Sequence, residues 1–323
     1  MSSFSVLSLP QEQLENLEAL GYQSMTPVQM AALPPGLAGR DLVVQAQTGS
    51  GKTVAFGLPV LADINPRDFG TQALILCPTR ELAAQVATEI RRLARALPNL
   101  KVVVLCGGQP IGPQIGSLEH GAHIVVGTPG RVKDHLRKQT LTLPRLKTLV
   151  LDEADRMLDM GFSDDMTDII SETPSSRQTL LFSATFPDDI ASISAQYQRT
   201  PERITVSTQV ADGQIAQIFV RTQRSDKTQT LINLIQGYQP SAAVIFCQTK
   251  AAVHDLVIML KAQGVEAAGL HGDLEQRERD QVLLLFKQMS LRLLVATDVA
   301  ARGLDIDSLP LVVNFDLPAD PEV

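Results

Sequence analysis

The sequence lacks any apolar run long enough to span a bilayer, and its first residues do not show the basic-then-apolar order of a secretory signal. Low-complexity tracts are also missing. With 44% hydrophobic and 20% charged residues, the chain has the composition of a globular protein. These features argue against a membrane-spanning protein and against long disordered segments. They predict a cytoplasmic protein with no membrane partner.

Cysteine is scarce, and the three residues, Cys77, Cys106 and Cys247, lack the paired spacing of a zinc site or a redox motif. Each one lies beside an apolar run. We therefore expect reduced thiols in the core and no structural metal.

An excess of positive charge is also missing. The chain carries 28 basic and 35 acidic residues, and the net charge of -7 argues against a broad basic surface that coats nucleic acid. A narrow phosphate-binding groove is still compatible with this charge, because Arg80, Arg131 and Arg302 lie beside glycine or threonine in loop-like settings. Loop arginines are common on any surface, so composition by itself favours three ordinary surface arginines over a phosphate-binding groove.

The length of 323 residues predicts two domains. In both halves, short runs that are apolar throughout alternate with helical patterns, which predicts an α/β fold of mostly parallel sheets with helices on both faces. A polar stretch around Gly213 separates the halves. We expect a segment at residues 1–39 that belongs to the first domain, the body of that domain at 40–206, a linker at 207–216 and a second domain at 217–323.

The apolar runs predict strands at residues 42–44, 73–76, 102–105, 124–126, 149–151 and 179–182, then at 218–220, 243–246, 293–295 and 311–313. Helices are predicted at residues 81–97, 131–138, 227–235, 251–261 and 275–286, and Thr26 with Pro27 forms a cap for an earlier one. Because ligands bind at the carboxyl ends of parallel strands, the functional residues should follow each run.

A glycine-rich loop follows the first predicted strand. It reads Gln45, Ala46, Gln47, Thr48, Gly49, Ser50, Gly51, Lys52 and Thr53. Such a loop before a helix places backbone N–H groups around an anion, Lys52 can reach the β and γ phosphates, and the Thr53 hydroxyl can bind Mg²⁺. The pattern predicts a triphosphate site. The alternative is an ordinary strand-to-helix turn, since Ala46 stands where the general pattern has glycine.

Two further groups follow predicted strands of the first half. Asp152 can hold Mg²⁺ and Glu153 can position or deprotonate a water, although acidic residues also suit the first turn of any helix. The hydroxyls of Ser183 and Thr185 can bond Asp155 and report the state of the nucleotide, or they can belong to an ordinary helix cap.

Gln29 lies on the helix that Thr26 begins, and its amide can pair with the edge of adenine. Phe4 or Tyr22 can then pack near the base. The alternative is a surface glutamine and two core aromatics. In the second half, Gln248, Thr249, His271 and Thr297 follow apolar runs, but no second phosphate loop is present, so we expect this half to serve the nucleotide of the first.

In this order the motifs resemble those of the DEAD-box family of ATP-dependent RNA helicases. The matching segments read PTREL at residues 78–82, GG at 107–108, TPGR at 128–131, DEAD at 152–155, SAT at 183–185, IFCQT at 245–249 and TDVAARGLD at 297–305. The resemblance covers essentially the whole chain and implies two tandem RecA-like domains, the second one truncated.

The resemblance also assigns roles to residues. Its catalytic residues would be Lys52, Asp152 and Glu153, with Mg²⁺ held through Thr53 and Asp152. ATP would be bound by Tyr22, Gln29, Gln47, Thr48, Gly49, Ser50, Gly51, Lys52, Thr53 and Asp305. Coupling would use Asp155, Ser183 and Thr185. RNA would be held by Pro78, Thr79, Arg80, Gly108, Thr128, Arg131, Gln248, Arg279, Thr297 and Arg302.

The implied activity is ATP-dependent unwinding of short RNA duplexes by a monomer whose two lobes close on one strand. Contacts would be to phosphates and riboses, so binding would be largely independent of sequence. Residues 107–110 and 157–162 resemble the bacterial members, which implies ribosomal RNA or pre-ribosomal particles as partners and a role in ribosome assembly.

One departure concerns the family's last motif, His-Arg-x-Gly-Arg-x-x-Arg, which would be expected just after Val323. Its arginines supply a finger worth roughly 10³ to 10⁵ in rate. The sequence as given therefore leaves a second hypothesis, a nucleotide-gated RNA clamp with weak turnover. A third is a motor directed to DNA.

Overall fold

Two compact units, residues 1–211 and 212–323, make up the chain. The structure is a computed structural model, and it describes residues 2–47, 49–186, 188–206, 216–297 and 309–317. Each unit has its own sheet and its own hydrophobic core.

The first unit contains a seven-stranded parallel sheet within the described residues. Its strands are β1 Leu42–Gln45, β2 Ala73–Leu76, β3 Val102–Leu105, β4 Ile124–Gly127, β5 Thr148–Leu151, β6 Gln178–Ser183 and β7 Glu202–Thr205, in the spatial order β3-β4-β2-β5-β6-β1-β7. Leu42 and Val44 of β1 point into one core, and Val43 between them points into a second core on the opposite face. Both faces of the sheet are therefore buried, as the continuous apolar runs predict.

Helices cover these two faces. They are α1 Gln11–Ala19, α2 Pro27–Leu37, α3 Lys52–Ala62, α4 Arg80–Leu93, α5 Gly112–Glu119, α6 Pro129–Arg137, α7 Ala154–Asp159, α8 Ser163–Ser171 and α9 Asp188–Tyr197. Thr26 and Thr79 accept hydrogen bonds from backbone N–H groups in the first turns of α2 and α4, which explains where these helices begin. None of the helices in the described segments has both the length and the apolar character needed to cross a membrane.

The second unit has a parallel sheet of four described strands. They are β8 Ala243–Cys247, β9 Ala267–Leu270, β10 Leu293–Thr297 and β11 Leu311–Asn314, in the spatial order β11-β8-β10-β9. The helices of this unit are α10 Lys227–Tyr238, α11 Lys250–Ala262 and α12 Gln276–Lys287. Cys77, Cys106 and Cys247 are buried and form no disulfide, which agrees with their prediction as core thiols.

One strand prediction was wrong, and two strands were not predicted. Residues 218–220 do not form a strand, and Phe219 is 92% exposed, so an apolar run here does not mark a buried element. Strands β7 and β9 were not predicted. Both lie at the edge of their sheets. An edge strand need not be apolar throughout, and the sequences ERIT and AAGL lack the continuous branched aliphatic run that marks a central strand.

Gly127 closes β4 where the backbone of β3 passes close by. A Cβ there would lie 2.5 Å from the Leu105 carbonyl oxygen and 2.8 Å from Val132 Cγ2. We expect Gly127→Ala to lower the free energy of unfolding of the first unit by about 1–3 kcal/mol, because backbone and core would have to shift. Urea denaturation followed by circular dichroism measures this.

The matched control is Gly116→Ala in the middle of α5, where a Cβ would meet nothing within 4 Å. It should keep or raise the stability, by up to about 1 kcal/mol, because alanine favours helix. Equal stability of the two variants would contradict the packing described for β4.

Candidate nucleotide and RNA site

The candidate residues of the first unit lie in loops that follow its parallel strands. β5, β6 and β1 are neighbours in the sheet, so the acidic residues after β5, the end of β6 and the glycine loop after β1 lie at one stretch of its carboxyl edge. The loops after β2, β3 and β4 occupy the next stretch. Ligands of open α/β sheets bind at this edge.

The glycine loop has the backbone of an anion-binding turn. Gly49 and Gly51 have φ angles of +80° and +92°, which side chains rarely permit. Lys52 begins α3, is only 7% exposed, and donates a hydrogen bond of 3.2 Å from Nζ to the Ala46 carbonyl oxygen. The loop thus holds a buried cation at a helix N-terminus, where negative charge is favoured. Of the other loop residues, Thr48 lies outside the described residues.

Gln29 is joined to this loop. Its Oε1 accepts a hydrogen bond of 2.9 Å from the Thr26 N–H, and its Nε2 donates one of 3.2 Å to the Gly51 carbonyl oxygen. A Cβ on Gly51 would lie 2.5 Å from that Nε2 and would displace the amide, and the φ of +92° independently favours glycine at this position. Gln29 is 2% exposed, and the alternative of a surface glutamine is therefore wrong.

Tyr22 is half-buried against Phe4, with the two rings in an edge-to-face arrangement 6.3 Å apart. Its hydroxyl donates a hydrogen bond to Glu89 Oε1 on α4, and burial followed by this glutamate raises the pKa of Tyr22. Phe4 is a core residue, as the alternative interpretation has it. Tyr22 is partly exposed.

Asp152 and Glu153 directly follow β5 and are each 3% exposed. Burial raises the pKa of Asp152 to about 6, and the positive charge of Lys52 opposes this rise. Glu153 has a φ of +52°, an uncommon backbone conformation for a non-glycine residue, and its Oε2 pairs with Arg156 Nη1 at 2.9 Å. Strained residues of this kind often occur at functional sites.

Asp155 joins the acidic segment to the loop after β6. Its Oδ2 accepts three hydrogen bonds, from the N–H of Ala184 at 3.1 Å and from the N–H and hydroxyl of Thr185 at 2.9 Å each. The Ser183 hydroxyl in turn accepts one from the Asp155 N–H at 3.4 Å. The structure therefore brings together the three residues that the sequence suggested as a coupling group.

The donor set fits Mg²⁺. Among the described residues, Oδ1 of Asp152 is buried without a hydrogen-bond partner. No group of three or more His, Cys, Asp or Glu side chains is placed to hold a metal in these residues. Mg²⁺ suits such a site, because it is usually bound by one or two carboxylates together with substrate phosphates and water. Thr53, half-buried in the first turn of α3, supplies a hydroxyl.

The loops after β2, β3 and β4 contact one another. The guanidinium of Arg80 packs onto Gly108, whose φ is +70° and whose missing Cβ leaves the room that Arg80 occupies. Arg131 donates a hydrogen bond of 2.9 Å from Nη2 to the Gln109 carbonyl oxygen. Thr128 is the N-cap residue of α6, is 9% exposed, and forms no capping hydrogen bond through its hydroxyl.

Candidate residues of the second unit also follow its strands. Gln248 is exposed after β8, and its N–H donates to Asp316 Oδ2 at 3.1 Å, while Thr249 caps α11. Thr297 ends β10 and is 8% exposed. Arg279 lies on α12. The predictions for Arg302 and Asp305 fall outside the described residues.

Asp316 was missed by the sequence reasoning. It orients the loop of Gln248 and pairs with Lys227 at 2.5 Å. Asp316 comes just after an apolar run, as Asp152 does, and this pattern could have predicted it.

Comparisons with known proteins identify the family of this chain. The family model of the DEAD/DEAH box helicases matches residues 26–193, and that of the helicase conserved C-terminal domain matches 226–323. The chain belongs to the DEAD-box family of ATP-dependent RNA helicases.

Among curated DEAD-box relatives, the ATP-dependent RNA helicase DbpA of Escherichia coli is 58% identical over 324 residues, a match that spans this whole chain and 71% of DbpA. CshA of Listeria monocytogenes is 45% identical, and the match spans 62% of its length. The structure of Saccharomyces cerevisiae Dbp5 bound to RNA and ADP BeF3 has a TM-score of 0.90 and 33% identity, covering all of this chain and 82% of that one.

These matches confirm the resemblance to the DEAD-box family and to its bacterial members. They also confirm the prediction of two tandem RecA-like domains. The second domain is the smaller one, with four described strands. Members of the DEAD-box family use ATP, and the backbone and charge of the glycine loop after β1 are compatible with such a ligand. The roles of individual residues stay predictions.

The raised pKa of Asp152 predicts a pH dependence. If Asp152 holds Mg²⁺, protonation removes the negative charge that the ion requires, so the Mg²⁺-dependent part of nucleotide affinity should be complete above the Asp152 pKa of about 6. Below that pKa it should fall by about tenfold per pH unit. Fluorescence titration with a labelled ATP analogue, at fixed Mg²⁺ across the pH range, measures this.

The nucleotide's own phosphates titrate in the same range, and Asp152→Asn serves as the control because it retains only that contribution. If nucleotide affinity fell equally steeply with pH in the two proteins, Asp152 would not be the titrating ligand.

Proposed function

We propose that this chain unwinds short RNA duplexes locally, with ATP binding driving two lobes to close on one strand. The observation that carries the proposal is the carboxyl edge of the first sheet. There a buried lysine, an acidic residue with an unpaired oxygen and a glycine turn lie next to a second group of arginine and glycine loops. One group suits a triphosphate and the other suits a phosphate backbone.

The proposed ATP site begins at the glycine loop. Backbone N–H groups of residues 47–53 and Lys52 would hold the phosphates, and Gln29 would read the adenine edge with Tyr22 beside the ring. Asp305 would contact the ribose. Gln29 is already oriented by Thr26 and Gly51, so base reading would require little reordering of its side chain.

Asp152 and Thr53 would hold Mg²⁺, which when bound neutralises charge that develops on the transferred phosphoryl group. Glu153 would orient the attacking water and accept its proton. The strained backbone at Glu153 and its pairing with Arg156 fix the direction of this carboxylate. Asp155, with Ser183 and Thr185, would pass changes in the acidic segment to the loop after β6.

The proposed RNA grip uses the loops after the neighbouring strands. Arg80, Arg131 and Thr128 would contact phosphates and riboses from the first unit, together with Pro78, Thr79 and Gly108. Gln248, Arg279, Thr297 and Arg302 would do so from the second. Arginine and hydroxyl contacts of this kind position a strand without reading its bases.

The RNA target is proposed from the bacterial motifs and from the similarity to DbpA. We infer ribosomal RNA or pre-ribosomal particles as the substrate class, ribosome assembly in the cytoplasm as the setting, and a monomer as the active species. Pull-down of RNA from the chain with a bound ATP analogue, followed by sequencing, tests the substrate class.

Two variants should fail in opposite ways. Lys52→Ala removes the buried cation and should weaken nucleotide binding by roughly a hundredfold. Glu153→Gln keeps the shape but not the base, so nucleotide and RNA should stay bound while phosphate release stops. Phosphate release with and without RNA, together with equilibrium binding, measures both.

Lys261→Ala, an exposed lysine of α11, is the control and should behave like the unmodified chain. If Lys52→Ala bound nucleotide normally, the glycine loop would not be the ATP site. RNA-gated binding without any release by the unmodified chain would favour a clamp over a helicase.

The grip should also distinguish RNA from DNA, because 2′-hydroxyls offer contacts that deoxyribose lacks. In the presence of an ATP analogue, a single RNA strand should compete for the chain at least about tenfold better than DNA of the same sequence. Competition measured by fluorescence anisotropy tests this. Equal competition would favour a motor directed to DNA.

A further inference from the structure

A buried chain of hydrogen bonds links the loop after β3 to helix α6. Gln114 Nε2 donates to the Cys106 carbonyl oxygen at 2.9 Å, Gln114 Oε1 lies 3.3 Å from His135 Nε2, and His135 Nδ1 lies 2.8 Å from Thr140 Oγ1. Gln114 is 9% exposed and His135 is 0% exposed. Polar groups buried this deeply have little access to water, so these contacts decide their orientation.

The direction of each bond follows from its neighbour. A backbone carbonyl only accepts, so the Gln114 amide must turn its nitrogen toward Cys106 and its oxygen toward His135. The imidazole must therefore carry its proton on Nε2. The single hydroxyl proton of Thr140 has two acceptors within reach, His135 Nδ1 at 2.8 Å and the His135 carbonyl oxygen at 3.2 Å. Donation to Nδ1, the shorter contact, completes the hydrogen-bond chain with a neutral ring.

Charge around the ring agrees with the neutral form. Burial lowers the pKa of His135 first, and the positive charge of Arg131 lowers it further, against a smaller effect of Asp134. Arg131 lies one helical turn before His135 on the same helix. A second positive charge inside this helix would be unfavourable.

This chain of hydrogen bonds supports the residues of the proposed RNA grip. Cys106 directly precedes Gly107 and Gly108, and Arg80 packs against Gly108. Gln109, the next residue, accepts the hydrogen bond from Arg131. The loop of residues 106–109 is thus held at its start by Gln114 and at its end by Arg131. Arg131 lies on α6, and Gln114 contacts α6 through His135.

We propose that Gln114 and His135 are positioning residues for RNA binding. They hold the loop of residues 106–109 against α6, so that Arg80 and Arg131 present their guanidinium groups at a fixed spacing. The proposal rests on the proposed RNA grip and adds two residues that do not touch RNA themselves.

The test compares RNA and nucleotide affinity in the whole chain. His135→Leu keeps a similar volume but cannot donate to Gln114, and it should weaken binding of a single RNA strand with an ATP analogue by roughly tenfold. Affinity for the nucleotide alone should be unchanged, because that site lies after other strands. His135→Gln places an amide N–H near the Nε2 position and should restore most of the RNA affinity.

A second variant works from the other side of the bond. Gln114→Met has a similar shape without hydrogen-bonding groups and should weaken RNA binding to a similar degree. The double variant with His135→Leu should lose little more than either single one, since both remove one connection.

The outcomes separate this proposal from the proposed function. If the unmodified chain shows no nucleotide-dependent RNA binding, the proposed function fails first. If it binds RNA and His135→Leu binds equally well, the positioning role is wrong. Equal weakening of RNA and nucleotide binding, without rescue by His135→Gln, would show a general structural role and would also overturn the proposal.

Discussion

The candidate nucleotide site depends on one electrostatic arrangement, a lysine ammonium and carboxylates buried together at the carboxyl edge of the first sheet. Lys52 and Asp152 are 7% and 3% exposed, and burial and the lysine act on the pKa of Asp152 in opposite directions. Buried charges are unfavourable unless they are paired and hydrogen-bonded. Oδ1 of Asp152 has no such partner among the described residues, so the arrangement is suited to a further cation that arrives with a phosphate ligand.

The parallel sheet places this arrangement beside the loops of the proposed RNA grip. Neighbouring strands place their following loops side by side, so the nucleotide group after β1, β5 and β6 adjoins the arginine and glycine loops after β2, β3 and β4. Asp155 joins two loops of the first group through Ala184 and Thr185. Gln114 and His135 do the same for the second group. Hydrogen bonds therefore connect the loops within each group.

Much of this was predictable from the sequence where the signal is local. Strands β1, β2, β4, β5 and β6 are central in the sheet and almost wholly buried, and each contains an apolar run. The edge strand β3 is only partly buried but still has such a run, whereas the edge strands β7 and β9 do not. The apolar run at 218–220 predicted a strand, but these residues are exposed and form none. The glycine loop, the acidic segment and the Asp155 group follow strands directly. Gln114 and His135 were missed because a contact across 21 residues leaves no local pattern.

The ionisation of Asp152 tests the central claim most directly. Nuclear magnetic resonance of its ¹³C-labelled carboxyl carbon follows protonation without relying on activity. In the chain alone the signal should titrate at about pH 6. With Mg²⁺ and an ATP analogue, the midpoint should move to lower pH, because a bound cation favours the carboxylate. A midpoint at the ordinary value for aspartate, or one that the nucleotide leaves unchanged, would contradict the account.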